Sequence, residues 1–133
     1  MIVDDQIFNI EAMKVILKLC NIDLEKQVEI AFNGQQAVDK VKERTEQNMF
    51  DIIFMDLNMP FMDGATATKE IRDYIFYQIT IPNGKFKQLL KPNNEDILQP
   101  TIVAVTGHTE DSFLAPALGN GIDLILPKPA TSK

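Results

Sequence analysis

Asp4 and Asp5 close the opening "MIVDD", Asp56 closes "DIIFMD", Thr106 and Gly107 close "TIVAVTG", and Lys128 follows "DLILP". Each of these polar groups stands where an apolar, strand-like run stops. An acid directly behind "IIFM" is costly to bury alone, so Asp56 either emerges at a strand end or is paired. Gathered at one edge, three carboxylates raise one another's pKa or recruit a cation. An all-oxygen set with room for water suits Mg²⁺, with Mn²⁺ as the alternative ion. Such a cation neutralises Asp56 and its neighbours and leaves one carboxylate oxygen to attack phosphorus. Phosphoryl transfer asks little more of a protein than position and neutralised charge. Lys128 can supply a fixed positive charge, and Thr106 a hydroxyl donor to the phosphoryl group once it is attached. Gly107, without a side chain, leaves the space beside that hydroxyl open.

The elements that must position these groups alternate. "MIVDD" is the stub of a strand, and "NIEAMKVILKLC" follows with Ile10, Met13, Leu17 and Cys20 at helical spacing. "VEIAF" predicts a strand, Asn33 and Gly34 a turn, and "QQAVDKVKER" a helix carrying Ala37, Val38 and Val41. "FDIIFMD" has the continuous apolar character of a strand buried on both faces, and "LNMPFMDG" hands over to a third helix, from Ala65 to Tyr74. "TIVAVTG" is a fourth strand, followed by a helix from Glu110 to Gly119 and the short strand "DLILP". Strand and helix in alternation imply an α/β fold, a doubly wound parallel five-stranded sheet of the (βα)5 flavodoxin-like type with helices on both faces. Ligands bind such sheets outside the carboxyl ends of the strands, where all five polar positions fall.

Two irregularities stand out. Tyr77 to Pro100 is longer than the few residues that usually join helix and strand, and is read as an insertion between the third helix and the fourth strand. Within it a mobile surface loop is the preferred reading, the alternative being a small hairpin of "YQITI" and "KFKQL" around "PNG". The first strand has only Ile2 and Val3 before its acids, and only Ala130 to Lys133 follow "KP", where one more helix would close the sheet. The expectation is one domain over residues 1–133, cut from a longer chain, with its first strand truncated and its last helix missing.

Composition narrows the function. The chain's 133 residues suit a single core, and 19 acids against 13 bases give a net charge of -6, which disfavours generic attraction to nucleic acid or an anionic membrane surface. The longest apolar runs are far short of the ~20 residues of a membrane span, and no leader opens the chain. A cytoplasmic protein, or the cytosolic part of a membrane-bound kinase, is expected. The single Cys20 cannot form an intrachain disulfide, and its place on the apolar stripe predicts a buried reduced thiol.

The acid pair Asp4-Asp5, "MDLNMPFMDG" around Asp56, "VTGH" with Thr106 and "PKP" with Lys128 occur in the order and approximate spacing of one family. The chain resembles a response-regulator receiver domain of two-component phosphorelay signalling, most of all the receiver of a hybrid sensor histidine kinase. The resemblance implies that Asp56 accepts a phosphoryl group from a histidine on a kinase or a histidine phosphotransfer domain. It implies that Asp5, Asp56 and the backbone carbonyl of Asn58 bind Mg²⁺, with Asp4 holding a metal-bound water. It also implies that Thr106 and Lys128 contact the phosphoryl oxygens, that Lys128-Pro129 is a cis peptide, and that Asn58 and His108 set the lifetime of the acyl phosphate. A receiver dimer is a further partner of the family.

Departures from the family pattern matter too. Ile125 replaces the aromatic residue expected three positions before the lysine, so a Thr-coupled rotation of Tyr or Phe cannot operate as such, and Pro116 should kink or shorten the fourth helix. A haloacid-dehalogenase-like aspartyl phosphatase is the rival enzyme. It would need an acid two residues after its nucleophile, where this chain has Asn58, which cannot transfer protons. A receiver-like module that is never phosphorylated would have lost the acids or the lysine. A flavodoxin-like cofactor binder would want a Gly, Ser and Thr rich loop in place of "DDQIFN".

Overall fold

Five strands, β1 (Ile2–Val3), β2 (Ile30–Ala31), β3 (Ile52–Asp56), β4 (Thr101–Thr106) and β5 (Leu124–Pro127), form one sheet in the order β2-β1-β3-β4-β5. Every pairing is parallel. The structure is a computed structural model, and it describes residues 1–81, 83–84, 99–107 and 111–128. Between the strands run α1 (Ile7–Leu19), the single turn α2 (Leu24–Gln27), α3 (Gly34–Lys42), α4 (Gly64–Thr80) and α5 (Asp111–Gly119), with a 3₁₀ turn at Glu46–Asn48. The chain leaves β1 towards β2 and returns to run from β3 outward to β5. The winding therefore reverses between β1 and β3, and a crevice opens at their carboxyl ends.

Strand register sets the level of each polar group. Val3 lies opposite Met55, Met55 opposite Ala104 and Ala104 opposite Ile125. Asp4 and Asp56 are one residue further along adjacent strands, and Thr106 and Lys128 end the neighbouring pair.

The main core lies on one face of the sheet. Val3, Ile53, Met55, Ile102 and Ala104 meet Ala37, Val38 and Val41 of α3 and Ala67, Ile71, Ile75 and Ile79 of α4. Ile2, Ile10 and Val103 are buried outside that cluster, on the face α1 covers. That second face is only partly covered among the described residues, since Ile52, Leu124 and Leu126 stay exposed.

Several expectations need correction. Residues 77–80 are helical: α4 runs to Thr80, so "YQITI" is no hairpin strand. Ile71, Ile75 and Ile79 repeat at one-turn spacing and are all buried, which carries the helix past Tyr74. Residues 82 and 85–98, with "KFKQL", lie outside the described residues. Cys20 is exposed rather than buried. It caps α1 where Asn21, at φ 62°, turns the chain left-handed, so the apolar stripe ends before reaching it. Of "VEIAF" only Ile30–Ala31 pairs as strand. Pro116 sits inside α5, where it offers no N–H to the preceding turn.

One residue that no sequence motif singles out, Arg72, fastens the far end of the sheet. Arg72 donates from Nε and NH2 to Gly121 O at 3.0 and 2.9 Å, and from NH1 to Pro100 O at 2.8 Å and Gln99 Oε1 at 2.9 Å. Its NH2 also meets Asp123 Oδ2 at 2.7 Å, the oxygen that accepts Ile102 N–H at 2.8 Å. α4 is thereby tied to the entrances of β4 and β5, fixing one flank of the inserted segment.

Candidate functional site

The crevice at the β1–β3 reversal holds a pocket of about 380 Å³ lined by Asp5, Gln6, Asp56, Asn58, Gly107 and Lys128. Asp4, Asp5 and Asp56 each present a carboxylate oxygen there, all within 4.8 Å of one another. Asp4 and Asp56 are buried, while Asp5 is half-buried. Such crowding is tolerable only with compensating groups.

Those groups are present. Lys128 Nζ lies 3.2 Å from Asp56 Oδ1 and 3.4 Å from Asp4 Oδ2, and its backbone N–H donates to Thr106 O at 2.7 Å. The last bond aims the lysine across the ends of β4 and β5. Asp56 Oδ1 also accepts Asn58 N–H at 3.3 Å, and its second oxygen receives no donor among the described residues. Asp4 Oδ1 accepts Gln6 N–H at 2.9 Å and Asn9 Nδ2 at 3.3 Å, which ties the carboxylate to the start of α1. Burial first, and then the charge of Asp4, raise the Asp56 pKa; Lys128 and the Asn58 N–H pull the other way without cancelling the rise. A carboxyl in that state is stabilised by additional positive charge.

The loop after Asp56 is shaped by close packing. Gly64 N–H donates to Leu57 O at 3.1 Å, and a Cβ on Gly64 would overlap the Asp56 carbonyl oxygen. Only glycine fits at this approach. Asp63 then caps α4, accepting Thr66 N–H at 2.7 Å. Gly107 is different, since a Cβ there meets nothing within 4 Å. Its openness is a property of the pocket and not a steric demand. Thr106 is wholly buried at the end of β4, and Ile125 packs against the main core. His108 and Pro129, with the expected Lys128-Pro129 cis bond, lie outside the described residues.

The structure thus brings together Asp4, Asp5, Asp56, Asn58, Gly107 and Lys128 around one opening, with Thr106 beside Lys128. Sequence reasoning missed Gln6 and Asn9, whose bonds to Asp4 hold that acid in place; an amide just after an acid pair is too common to single out.

The profile of the response regulator receiver domain matches residues 1–133. The chain belongs to the receiver-domain family. It is 35% identical to the osmosensing histidine protein kinase SLN1 of Saccharomyces cerevisiae over 97% of its own length, yet spans only 9% of that kinase. Among solved receivers it matches that of the Arabidopsis thaliana histidine kinase CKI1, complexed with Mg²⁺ and BeF₃⁻, with a TM-score of 0.72 and 26% identity. The match covers 95% of this chain and 77% of that one. The Saccharomyces cerevisiae Ssk1 receiver, solved together with the histidine phosphotransfer protein Ypd1, gives a TM-score of 0.69 and 28% identity over 96% of this chain and 76% of that one. The receiver belongs to two-component phosphorelay signalling, and no helix among the described residues is long and apolar enough to cross a membrane.

Proposed function

We propose that Asp56 of this receiver is the phosphoacceptor of a Mg²⁺-dependent relay, taking its phosphoryl group from a histidine on a kinase or phosphotransfer protein. The observation that carries this reading is the Asp4, Asp5 and Asp56 oxygen cluster within 4.8 Å, with Lys128 against two of the three acids. An all-oxygen donor set of excess negative charge fits Mg²⁺ and equally admits Mn²⁺. Asp5, Asp56 and the Asn58 carbonyl would hold the ion, with Asp4 acting through water; when bound it supplies charge neutralisation for the incoming phosphoryl oxygens.

The chain's own groups do the rest. A carboxylate oxygen of Asp56 forms the O–P bond as the N–P bond of phosphohistidine breaks. The imidazole nitrogen leaves with the electron pair and takes up a proton. Lys128, fixed by its backbone bond to Thr106 and by its two carboxylates, pairs with a phosphoryl oxygen, and the Thr106 hydroxyl donates to another. Asn58 stands where a phosphatase would place its acid and base. It cannot activate water by proton transfer, so the acyl phosphate persists long enough to act as a signal or be relayed. The domain works in the cytoplasm as part of a longer chain.

NMR titration with Mg²⁺ and then beryllofluoride tests the reading. Expected are Mg²⁺-dependent shifts at Asp5, Asp56 and Asn58, followed by beryllofluoride-dependent shifts that reach Thr106 and Lys128. A spectrum unmoved by both additions contradicts it.

A further inference from the structure

Lys128 reaches the acids from the edge of the sheet. The strand that carries it, β5, pairs only with β4. Little packs against β5 among the described residues: Leu124 and Leu126 are 57% and 46% exposed, and Ile125 is its contact with the main core. By contrast β1 and β3, whose ends present Asp4 and Asp56, are paired on both sides and mostly buried. A thinly packed edge strand is aimed by whatever holds its two ends.

At the exit of β5, Lys128 N–H donates to Thr106 O at 2.7 Å. At the entrance the holder is Arg72. Its Nε and NH2 donate to Gly121 O, NH2 also pairs with Asp123 Oδ2, and NH1 donates to Pro100 O and Gln99 Oε1. Five bonds converge there, as many as a guanidinium has N–H groups. Asp123 Oδ2 also accepts Ile102 N–H, and Asp123 N–H donates to Ile102 O at 2.9 Å. One side chain of α4 thus locks the first residues of β4 and β5 to each other.

The exit bond fixes the height of Lys128 but not the direction in which its side chain leaves the strand. That direction needs the second fixed point. A change of about 10° in the run of β5 swings Nζ by about 1 Å, and misplacement of that size costs up to about 100-fold in rate. We propose that Arg72, at the opposite end of the sheet from the pocket, is a positioning residue for phosphoryl transfer, aiming Lys128 at Asp56 by fixing the entrance of β5. This inference rests on the acceptor reading above. It separates transfer from ion binding, because Asp4, Asp5 and Asp56 follow or end β1 and β3, which Arg72 does not fasten.

The test measures labelling of the full chain by phosphoramidate at saturating Mg²⁺, beside Mg²⁺ affinity and backbone hydrogen exchange. Arg72→Met removes the fork of donors. Arg72→Lys keeps the charge on a compact head that cannot span all the acceptors, and it carries the test where Arg72→Met does not fold. The control is Arg44→Met. Arg44 is enclosed like Arg72, with side chains 20% and 17% exposed, but it pairs with Glu29 before β2 and stacks on Phe50 before β3. Labelling should be about tenfold slower in Arg72→Met, intermediate in Arg72→Lys and unaltered in Arg44→Met, with the Mg²⁺ Kd within about twofold throughout. The Asp123 and Lys128 amides should exchange faster in Arg72→Met while those of β3 stay protected. Added to Lys128→Met, Arg72→Met should slow the residual labelling no further, since the arginine acts through the lysine. Labelling of both Arg72 variants at the unaltered rate overturns the proposal and leaves the acceptor reading standing. Equal slowing in Arg72→Met and Arg44→Met, or slowing that adds in full to that of Lys128→Met, does the same. An unaltered chain that takes no label overturns the acceptor reading and the positioning role with it.

Discussion

Asp56 is buried beside Asp4, and Lys128 offsets only part of the resulting cost. The folded protein holds the Asp56 proton more tightly than the unfolded chain does. Its contribution to stability is therefore complete below the unfolded carboxyl pKa and is lost as pH rises through the raised folded value. At neutral pH without divalent ions, Asp56→Asn should stabilise the fold by on the order of 1 kcal/mol, or a few degrees of Tm. That gain should shrink as pH falls through the Asp56 titration, which thermal melts at several pH values would check. A gain that grows at low pH would contradict the assignment. A second single-residue case lies in α4, where the Thr68 hydroxyl is wholly buried and has no hydrogen-bond partner among the described residues. Thr68→Val keeps the shape and removes that desolvated group, so denaturant melts should show stability unchanged or raised by roughly 1 kcal/mol.

Among the elements, β3 and α4 do most to place Asp56, and their junction turns on Gly64. Gly64→Ala must push the Asp56 carbonyl or the helix start aside, so it should cost roughly 2 to 4 kcal/mol and disturb the pocket together with the fold. Equilibrium unfolding with the Mg²⁺ titration repeated on the variant would show both losses. The same junction was legible in the sequence, because an apolar run ending in Asp56, then Pro60 and Gly64, states a strand, a loop and a close approach by residue type alone. The far end of α4 was also written there, in Ile71, Ile75 and Ile79, but the "PNG" turn signal directly behind it led to reading "YQITI" as part of an inserted surface loop or hairpin, not as helix. Cys20 was misplaced for a different reason. Helical spacing gives the direction a side chain points, not where the covering surface ends. The Arg72 bonds were not legible at all, since their acceptors are mostly backbone carbonyls brought near by topology.

Across the whole molecule, the reversal of winding between β1 and β3 converts acids far apart in the chain into one cluster, and the cluster links ion binding to folding. On the proposed reading, Mg²⁺ binds the assembled oxygens far better than it binds the unfolded chain. An ion concentration about 100 times Kd should therefore add about 2.7 kcal/mol. Differential scanning fluorimetry should show Tm rising with Mg²⁺, and Asp5→Asn should blunt the rise without greatly changing the ion-free Tm. Equal rises in both proteins would show that the ion acts elsewhere.

The central claim, that Asp56 accepts a phosphoryl group, is tested most directly by intact-mass spectrometry after incubation with phosphoramidate and Mg²⁺. The expected result is the mass of one added phosphoryl group, dependent on the ion and absent from Asp56→Asn. Phosphorylation that persists in Asp56→Asn would contradict the account.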